Sequence, residues 1–247
     1  MTDFVVAIPA RFSSERLPGK PLRLIAGLPM LQHVWQCASK SDAQEVVIAT
    51  DDERIQQAAE AFGATVCMTA DSHRSGTERI AEVARVFGWD DDLRVVNLQG
   101  DEPLMPPALI RMCASLLDDP LADMATLASS LLSAEDFQDP NIVKVVLDDN
   151  AFALYFSRAT IPYSRSDDSD KLAFSTAQHH HGIYSYRCSV LHRLVAAEPS
   201  ALEQCEKLEQ LRALDLGMKI KVGRPQQRPG PGVDTESDLD AVNKLMA

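Results

Sequence analysis

Residues 5–22 read VVAIPARFSSERLPGKPL. Val5–Ile8 is a short apolar run, long enough for one buried strand, and it breaks at Pro9. The loop that follows carries Arg11, Arg16, Lys20 and Arg23 against a single acid, Glu15. The chain of 247 residues has a formal net charge of -12, so a cationic loop after the first strand is a local exception. In open α/β sheets, ligands bind beyond the carboxyl ends of strands. Arginine there holds phosphate oxygens as a planar fork and lysine as a point charge. The loop is therefore a candidate triphosphate grip.

Outward from this stretch, strand-like runs alternate with helical patterns through the first half. Strands are expected at Phe4–Ile8, Glu45–Ala49, Thr65–Met68 and Arg94–Leu98, and helices at about Met30–Ala38, Glu53–Phe62, Thr77–Phe87 and Pro107–Leu117. Gly63 is placed to end the second helix. Such alternation implies a parallel sheet with helices on both faces. The pattern changes after Asp118. Met124–Leu131 and Ile142–Leu147 read as strands, and Ala151–Ser157 follows the turn Asp148-Asp149-Asn150 as the return of a hairpin. The acid-rich segment Arg165–Lys171 reads as a mobile surface loop. Gly182–Arg187 is another strand, followed by helices at about Ser189–Ala196 and Leu202–Leu216, the second ending at Gly217. Lys219–Val222 is a last strand, Arg224–Gly232 a Pro/Gly-rich loop, and Glu236–Leu245 a closing helix.

A composition of 45% hydrophobic and 24% charged residues supports an ordinary globular core. The acidic balance argues against a nucleic-acid binder or an anionic-membrane binder. No apolar run reaches the roughly 18–20 residues that cross a bilayer. Met1-Thr2-Asp3 lacks the basic start of a signal peptide, so a cytoplasmic location is expected. The five cysteines (37, 67, 113, 188, 205) are odd in number and widely spaced, which suits reduced thiols better than disulfides or zinc.

Several nucleotide motifs are missing: there is no G-x-G-x-x-G, and Gly19-Lys20-Pro21 lacks the remainder of a P-loop. The segment VVNLQGDEP (95–103) instead ends an apolar strand at Gly100 with Asp101 where the sheet opens. A carboxylate there suits Mg²⁺, which takes oxygen ligands and bridges to phosphates; a plain turn is the bland alternative. In GPGVDTE (230–236), Asp234 or Thr235 either caps the closing helix or, with the glycines, brings a second carboxylate into a cleft. Arg74-Ser75-Gly76-Thr77 opens a helix whose free amides favour anions or sugar hydroxyls, with Ser75 or Thr77 as cap. Glu78 and Arg79 read equally well as solvated first-turn charges. His179-His180-His181 cannot all reach one ion, because neighbours in an extended segment point to opposite faces. Arg158, just past a strand, suits either a substrate carboxylate or a surface ion pair. Glu203, Glu206, Glu209, Gln210 and Arg212 read by default as a solvated helix face.

Together these segments resemble the 3-deoxy-D-manno-octulosonate (Kdo) cytidylyltransferases, also called CMP-Kdo synthetases. The matching segments are IPARFSSERLPGKPL (8–22), SGTERIAEV (75–83), VNLQGDEPL (96–104), VKVVLD (143–148), ALYFSRATIP (153–162), HHGIYSYR (180–187), LEQLRAL (208–214) and PGVDTESDL (231–239). They run in order through nearly the whole chain; the first alone is shared more loosely with sialic-acid cytidylyltransferases. The resemblance implies one nucleotidyltransferase domain over residues 1–247. It implies a mostly parallel, Rossmann-like sheet flanked by helices, with a smaller antiparallel β lobe at about 150–188 for dimerisation and sugar binding. It implies transfer of CMP from CTP to the anomeric hydroxyl of Kdo for lipopolysaccharide biosynthesis, with Mg²⁺ as cofactor and a homodimer as the assembly. Ala10, Arg11, Ser14, Arg16, Lys20, Arg74, Ser75, Gly76 and Asp101 would meet the nucleotide. Lys20, Arg16, Asp101 and Asp234 would serve catalysis, the two aspartates holding the metal. Gln99, Arg158, His180, Tyr184, Glu209 and Gln210 would meet the sugar. A related acid sugar (8-amino-Kdo or sialic acid) and a non-catalytic nucleotide-binding role are the alternatives.

Overall fold

The structure, a computed structural model, describes residues 3–14 and 16–246, the side chains of 167–169 excepted. Glu15, the acid expected inside the basic loop, lies outside the described residues. The first half folds as β1 (Phe4–Ala10), β2 (Leu24–Ile25), β3 (Leu28–Pro29), α1 (Met30–Ser39), β4 (Glu45–Thr50), α2 (Glu53–Ala61), β5 (Thr65–Met68), α3 (Gly76–Phe87), β6 (Arg94–Asn97) and α4 (Pro107–Ser115). The second half adds β7 (Met124–Ser130), α5 (Ala134–Gln138), β8 (Lys144–Leu147), β9 (Ala153–Ser157), α6 (Asp167–Thr176) and β10 (Gln178–Arg187). It ends with α7 (Cys188–Ala196), α8 (Ala201–Glu206), α9 (Gln210–Asp215), β11 (Ile220–Gly223) and α10 (Glu236–Met246).

The central sheet has the order β11-β7-β10-β6-β1-β4-β5, mostly parallel, with β10 antiparallel to both neighbours. Strand β1 is apolar and buried throughout because it has a strand on each side and helices on each face. Its alternate side chains serve two cores: Val5 and Ala7 join Ile80 and Ala84 of α3 and Leu191 of α7, whereas Phe4, Val6 and Ile8 join Leu31 and Val34 of α1 and Ile110 of α4. Each such fully buried aliphatic side chain contributes roughly 1.5–3 kcal/mol. The strand continues through Pro9, beyond the expected end. Pairing with β6 stops at Ala7↔Asn97, so Pro9 has only β4 beside it, where its missing N–H does least harm.

The antiparallel part expected at about 150–188 is built by β8, β9 and β10 and is hydrogen-bonded into the main sheet through β10. The hairpin forms with Ala151 at φ 60 and the Asp148 carboxylate accepting from Asn150 N (2.9 Å) and Phe152 N (2.7 Å). Three sequence expectations need correction. Residues 165–171 are not a loop throughout: α6 starts at Asp167, and it is held by buried Ala173 and by Phe174, edge-on to Phe137 at 6.2 Å. Strand β10 begins at Gln178, four residues early, since the histidines pair with β7 on one side and β8 on the other. The helix expected over 202–216 is two helices, broken where Lys207 turns left-handed (φ 55) so that Leu208 can reach the core.

Because β1 and β6 are parallel neighbours, the loops leaving their carboxyl ends meet. Gly100 makes that meeting possible: a Cβ there would stand 2.9 Å from the Pro9 carbonyl oxygen. Two hydrogen bonds then tie the 230–234 loop to the loop after β6, Val233 N to Asp101 O (2.9 Å) and Gly230 N to Leu104 O (3.3 Å). Gly100→Ala must push backbone against backbone, and we expect it to lower stability by about 1–3 kcal/mol in urea unfolding. An unchanged midpoint would show that the loops part freely.

Candidate active site

The loop after β1 folds back on itself before it reaches the cleft. Gly19, at φ 67, donates from N to Phe12 O (3.2 Å), and Leu17 is fully buried with Ile25, Met30, Val233 and Leu239. Lys20 follows at the start of a short 3-10 turn, Lys20–Leu22. Its Nζ donates to Asp101 Oδ2 (2.6 Å) and to Asp234 Oδ1 (2.9 Å), and Arg16 Nη2 stands 3.1 Å from Asp234 Oδ2. Burial works against the Lys20 charge, but the two carboxylates outweigh it and hold its pKa above the ordinary lysine value. The two aspartates, which the sequence could not bring together, thus meet at one ammonium. Among the described residues, no group of three or more His, Cys, Asp or Glu side chains is arranged to hold a metal ion.

Every residue expected to meet the nucleotide, except Arg16, lines one cleft: Ala10, Arg11, Ser14 and Lys20 from the first loop, Arg74, Ser75 and Gly76 from the start of α3, and Asp101 after β6. Arg11 Nη2 donates to His73 O, and burial followed by the Arg79 charge lowers its pKa. Ser75, not Thr77, caps α3, accepting from Glu78 N at 3.2 Å. Arg79 is not a solvated charge. It is wholly buried, bonded to Thr69 Oγ1 and to Asp51 Oδ2 (2.9 Å), while Glu78 accepts from Arg74 N (2.7 Å) and Nε (3.0 Å).

A second cleft shares Gly76 and Gln99 with the first and is lined further by His180, Tyr184, Glu209 and Gln210. Glu209, expected on a solvated face, instead accepts from Ser75 Oγ (2.8 Å) and Thr77 Oγ1 (2.5 Å), joining α9 to the start of α3. Burial drives the His180 pKa down to about 3, so its ring is neutral. That ring lies 3.1 Å from Thr126 Oγ1 through Nε2 and edge-on to Phe156. Tyr184 Oη and Gln210 Nε2 are buried and find no hydrogen-bond partner among the described residues. His179 and His181 meet with rings tilted at 48° and centroids 4.8 Å apart, lining a neighbouring recess with Arg228, and His179 also lines the second cleft.

Arg158 does not line this second cleft. Its Nε donates to Glu206 O (2.8 Å), its Nη1 to Pro140 O (3.0 Å), and its main-chain N to Glu206 Oε2 (2.9 Å). Sequence reading missed Thr77, Asn141 and Val143 as lining residues, because nothing in their spacing links them to α9. It also missed Glu206, the acid that organises Arg158.

Residues 5–220 match a family of cytidylyltransferases. A 3-deoxy-manno-octulosonate cytidylyltransferase of Aeromonas hydrophila subsp. hydrophila is 52% identical, with 99% of each chain covered. One from Vibrio vulnificus is 50% identical over 99% of this chain and 98% of its own. Among solved structures, a CMP:2-keto-3-deoxy-manno-octonic acid synthetase complexed with CTP superposes with a TM-score of 0.91 at 42% identity, covering 99% of this chain and 98% of that one. Identity at this level over full length, on the same fold, leaves one conclusion: the chain belongs to the 3-deoxy-manno-octulosonate cytidylyltransferase family.

Proposed function

We propose that this chain transfers CMP from CTP to the anomeric hydroxyl of Kdo, releasing pyrophosphate, as one nucleotidyltransferase domain. The observation that carries the reading is a pair of joined clefts of opposite character. The first is rich in cations and helix-start amides, as a triphosphate needs. The second holds a neutral imidazole, a carboxylate, and two buried polar atoms lacking partners, as a polyhydroxylated sugar needs. Gln99 and Gly76 stand where the two clefts join, so an attacking hydroxyl in one would face an α-phosphorus in the other.

The sugar C2 hydroxyl oxygen attacks the α-phosphorus, giving up its proton to solvent, while the bond to the β-phosphate oxygen breaks and pyrophosphate leaves. Such a displacement depends on positioning and charge neutralisation more than on covalent help. Lys20, Arg16 and Arg11 hold the β- and γ-phosphates and stabilise charge growing on pyrophosphate. Arg158 carries five N–H donors, and its bonds to carbonyls use one at Nε and one at Nη1. Arg158 lies outside the lining of the second cleft, and these bonds tie the 140 and 206 segments together beside it.

Mg²⁺ fits the residues present. Asp101 and Asp234 offer carboxylate oxygens to one cationic point, the Lys20 ammonium, and oxygen donors suit a hard divalent ion. Asp101 and Asp234 would hold the ion, which would neutralise phosphate charge. Next to them, burial and then the Asp101 and Asp234 charges push the Glu102 carboxyl up to about 8, so it keeps its proton at neutral pH. The described helices include none long and apolar enough to cross a membrane. All five cysteines are unpaired, which supports a reducing cytoplasm and the supply of CMP-Kdo to lipopolysaccharide synthesis there. Leu154, Tyr163 and Leu172 are 62%, 84% and 68% exposed within the 150–188 segment, which supports a homodimer through that segment.

Pyrophosphate release should require CTP, Mg²⁺ and Kdo together. Release without Kdo, or with sialic acid as readily, would defeat the reading. Asp101→Asn should cut turnover on the order of 100-fold or more if this carboxylate neutralises phosphate-bound charge; near-normal turnover at limiting Mg²⁺ would remove it from that role. Sedimentation equilibrium should give the mass of two chains, and the mass of one chain would exclude the dimer.

A further inference from the structure

Next to Val143, which lines the sugar cleft, the VKVVLD segment (143–148) carries a fully buried charge, Lys144. Lys144 is wholly buried on β8, between β9 and β10. Its ammonium has three N–H donors, and all are used: Nζ donates to Asp139 O (2.8 Å), Ile142 O (2.6 Å) and Arg158 O (2.6 Å). All three acceptors are main-chain carbonyls. No carboxylate hydrogen-bonds to the ammonium, although the Asp139 and Glu206 charges favour it; such a buried charge is costly, and stability alone would be served as well by an apolar side chain. The tripod therefore calls for a geometric explanation.

Its three carbonyls belong to the pieces of chain that enclose the sugar cleft. Asp139 and Ile142 bracket Asn141, which lines the cleft, and Val143 O accepts from His180 N at 2.9 Å. Arg158, held by its carbonyl, braces Pro140 on one side and Glu206 on the other. Glu206 in turn accepts from Ser157 Oγ (2.6 Å) and leads into Leu208, Glu209 and Gln210, the opposite wall. We propose that Lys144 is a positioning residue for the sugar: its tripod fixes the 139–143 wall against the end of β9 and, through Arg158, against the 206–210 wall. It sets the width of the cleft without touching the sugar. This rests on reading the second cleft as the sugar site.

The test is steady-state pyrophosphate release by the full-length chain, varying Kdo and CTP separately, together with calorimetric CTP binding. Lys144→Met keeps the stem and removes the donors. It should raise the KM for Kdo about tenfold or more while KM and Kd for CTP stay within about twofold, since misplaced walls cost the sugar and not the nucleotide. Lys144→Arg, which keeps a cation, should fall between Met and wild type. If the Met variant does not fold, the Arg variant alone must show the same split. Equal losses for both substrates, or an unchanged KM for Kdo, would overturn the proposal. Wild type run beside them separates the two failures: no Kdo-dependent release by wild type sinks the sugar reading itself, whereas a normal wild type with an unaffected Lys144→Met sinks only the tripod.

Discussion

The site is organised around the Lys20 ammonium between Asp101 and Asp234. Two carboxylates facing one point repel each other strongly when partly removed from water, and each additional acid raises the cost. Here Glu102 is the third, kept protonated to about pH 8 by burial and by those same neighbours. Lys20 and Arg16 pair with the two aspartates and so join three distant parts of an acidic chain: the loop after β1, the loop after β6 and the segment before α10. Under the proposed function this pairing cannot survive substrate binding unchanged. A triphosphate that draws Lys20 and Arg16 leaves the aspartates short of positive charge, which is the condition under which a divalent cation is most strongly held.

That arrangement needs the parallel sheet. Antiparallel strands would send the loops after β1 and β6 to opposite ends; parallel neighbours send both to the same end. Gly100 against the Pro9 carbonyl, and Val233 bonded to Asp101, then set how closely the loops approach. Asp101 lies only four residues past β6, and Lys20 ten past β1, so little flexible chain separates either group from the sheet. Distances near 3 Å across more than two hundred residues of sequence are held by this rigidity.

The first half of the fold was legible because burial on both faces writes itself into composition: Val5–Ile8 is apolar without alternation and stops at Pro9, and Val95-Val96 is an apolar pair with Gly100 a few residues beyond. The residues of the first cleft were legible for a related reason, since they lie in the loops leaving such strands or at a helix start. The second half obscures its signals. His179 and His180 read as extended chain ahead of a strand expected only from Gly182, yet they are sheet residues whose backbone pairing no composition reveals. Residues 165–171 carry acids at a helix start, where the helix dipole favours them, so their charge was a helix signal rather than a loop signal. Glu209 looked like one of several solvated acids until the left-handed turn at Lys207 directed α9 at the start of α3. Arg158 was expected at a sugar carboxylate or in a surface ion pair; instead it lies outside the second cleft and bonds to carbonyls of Pro140 and of Glu206 at the end of α8, partners that no spacing connects to it.

The two clefts divide the work of specificity unequally. Under the proposed function, phosphate recognition by Arg11, Arg16 and Lys20 would be mainly Coulombic, and strong charge attraction accepts any triphosphate of the right reach. The sugar cleft discriminates by a different means. Among the described residues none of those lining it is a lysine or arginine, burial lowers the pKa of both its histidines, His179 and His180, and Tyr184 and Gln210 present buried polar atoms that are costly to leave unpaired. A sugar that satisfies them recovers that cost; one that lacks the matching hydroxyl leaves them buried and unpaired, and such sites reject poor matches far more sharply than an apolar pocket does. Discrimination of this kind requires walls that do not relax around the wrong ligand, so rigidity beyond the cleft, in the Arg158 brace and the buried tripod behind it, is part of the recognition itself.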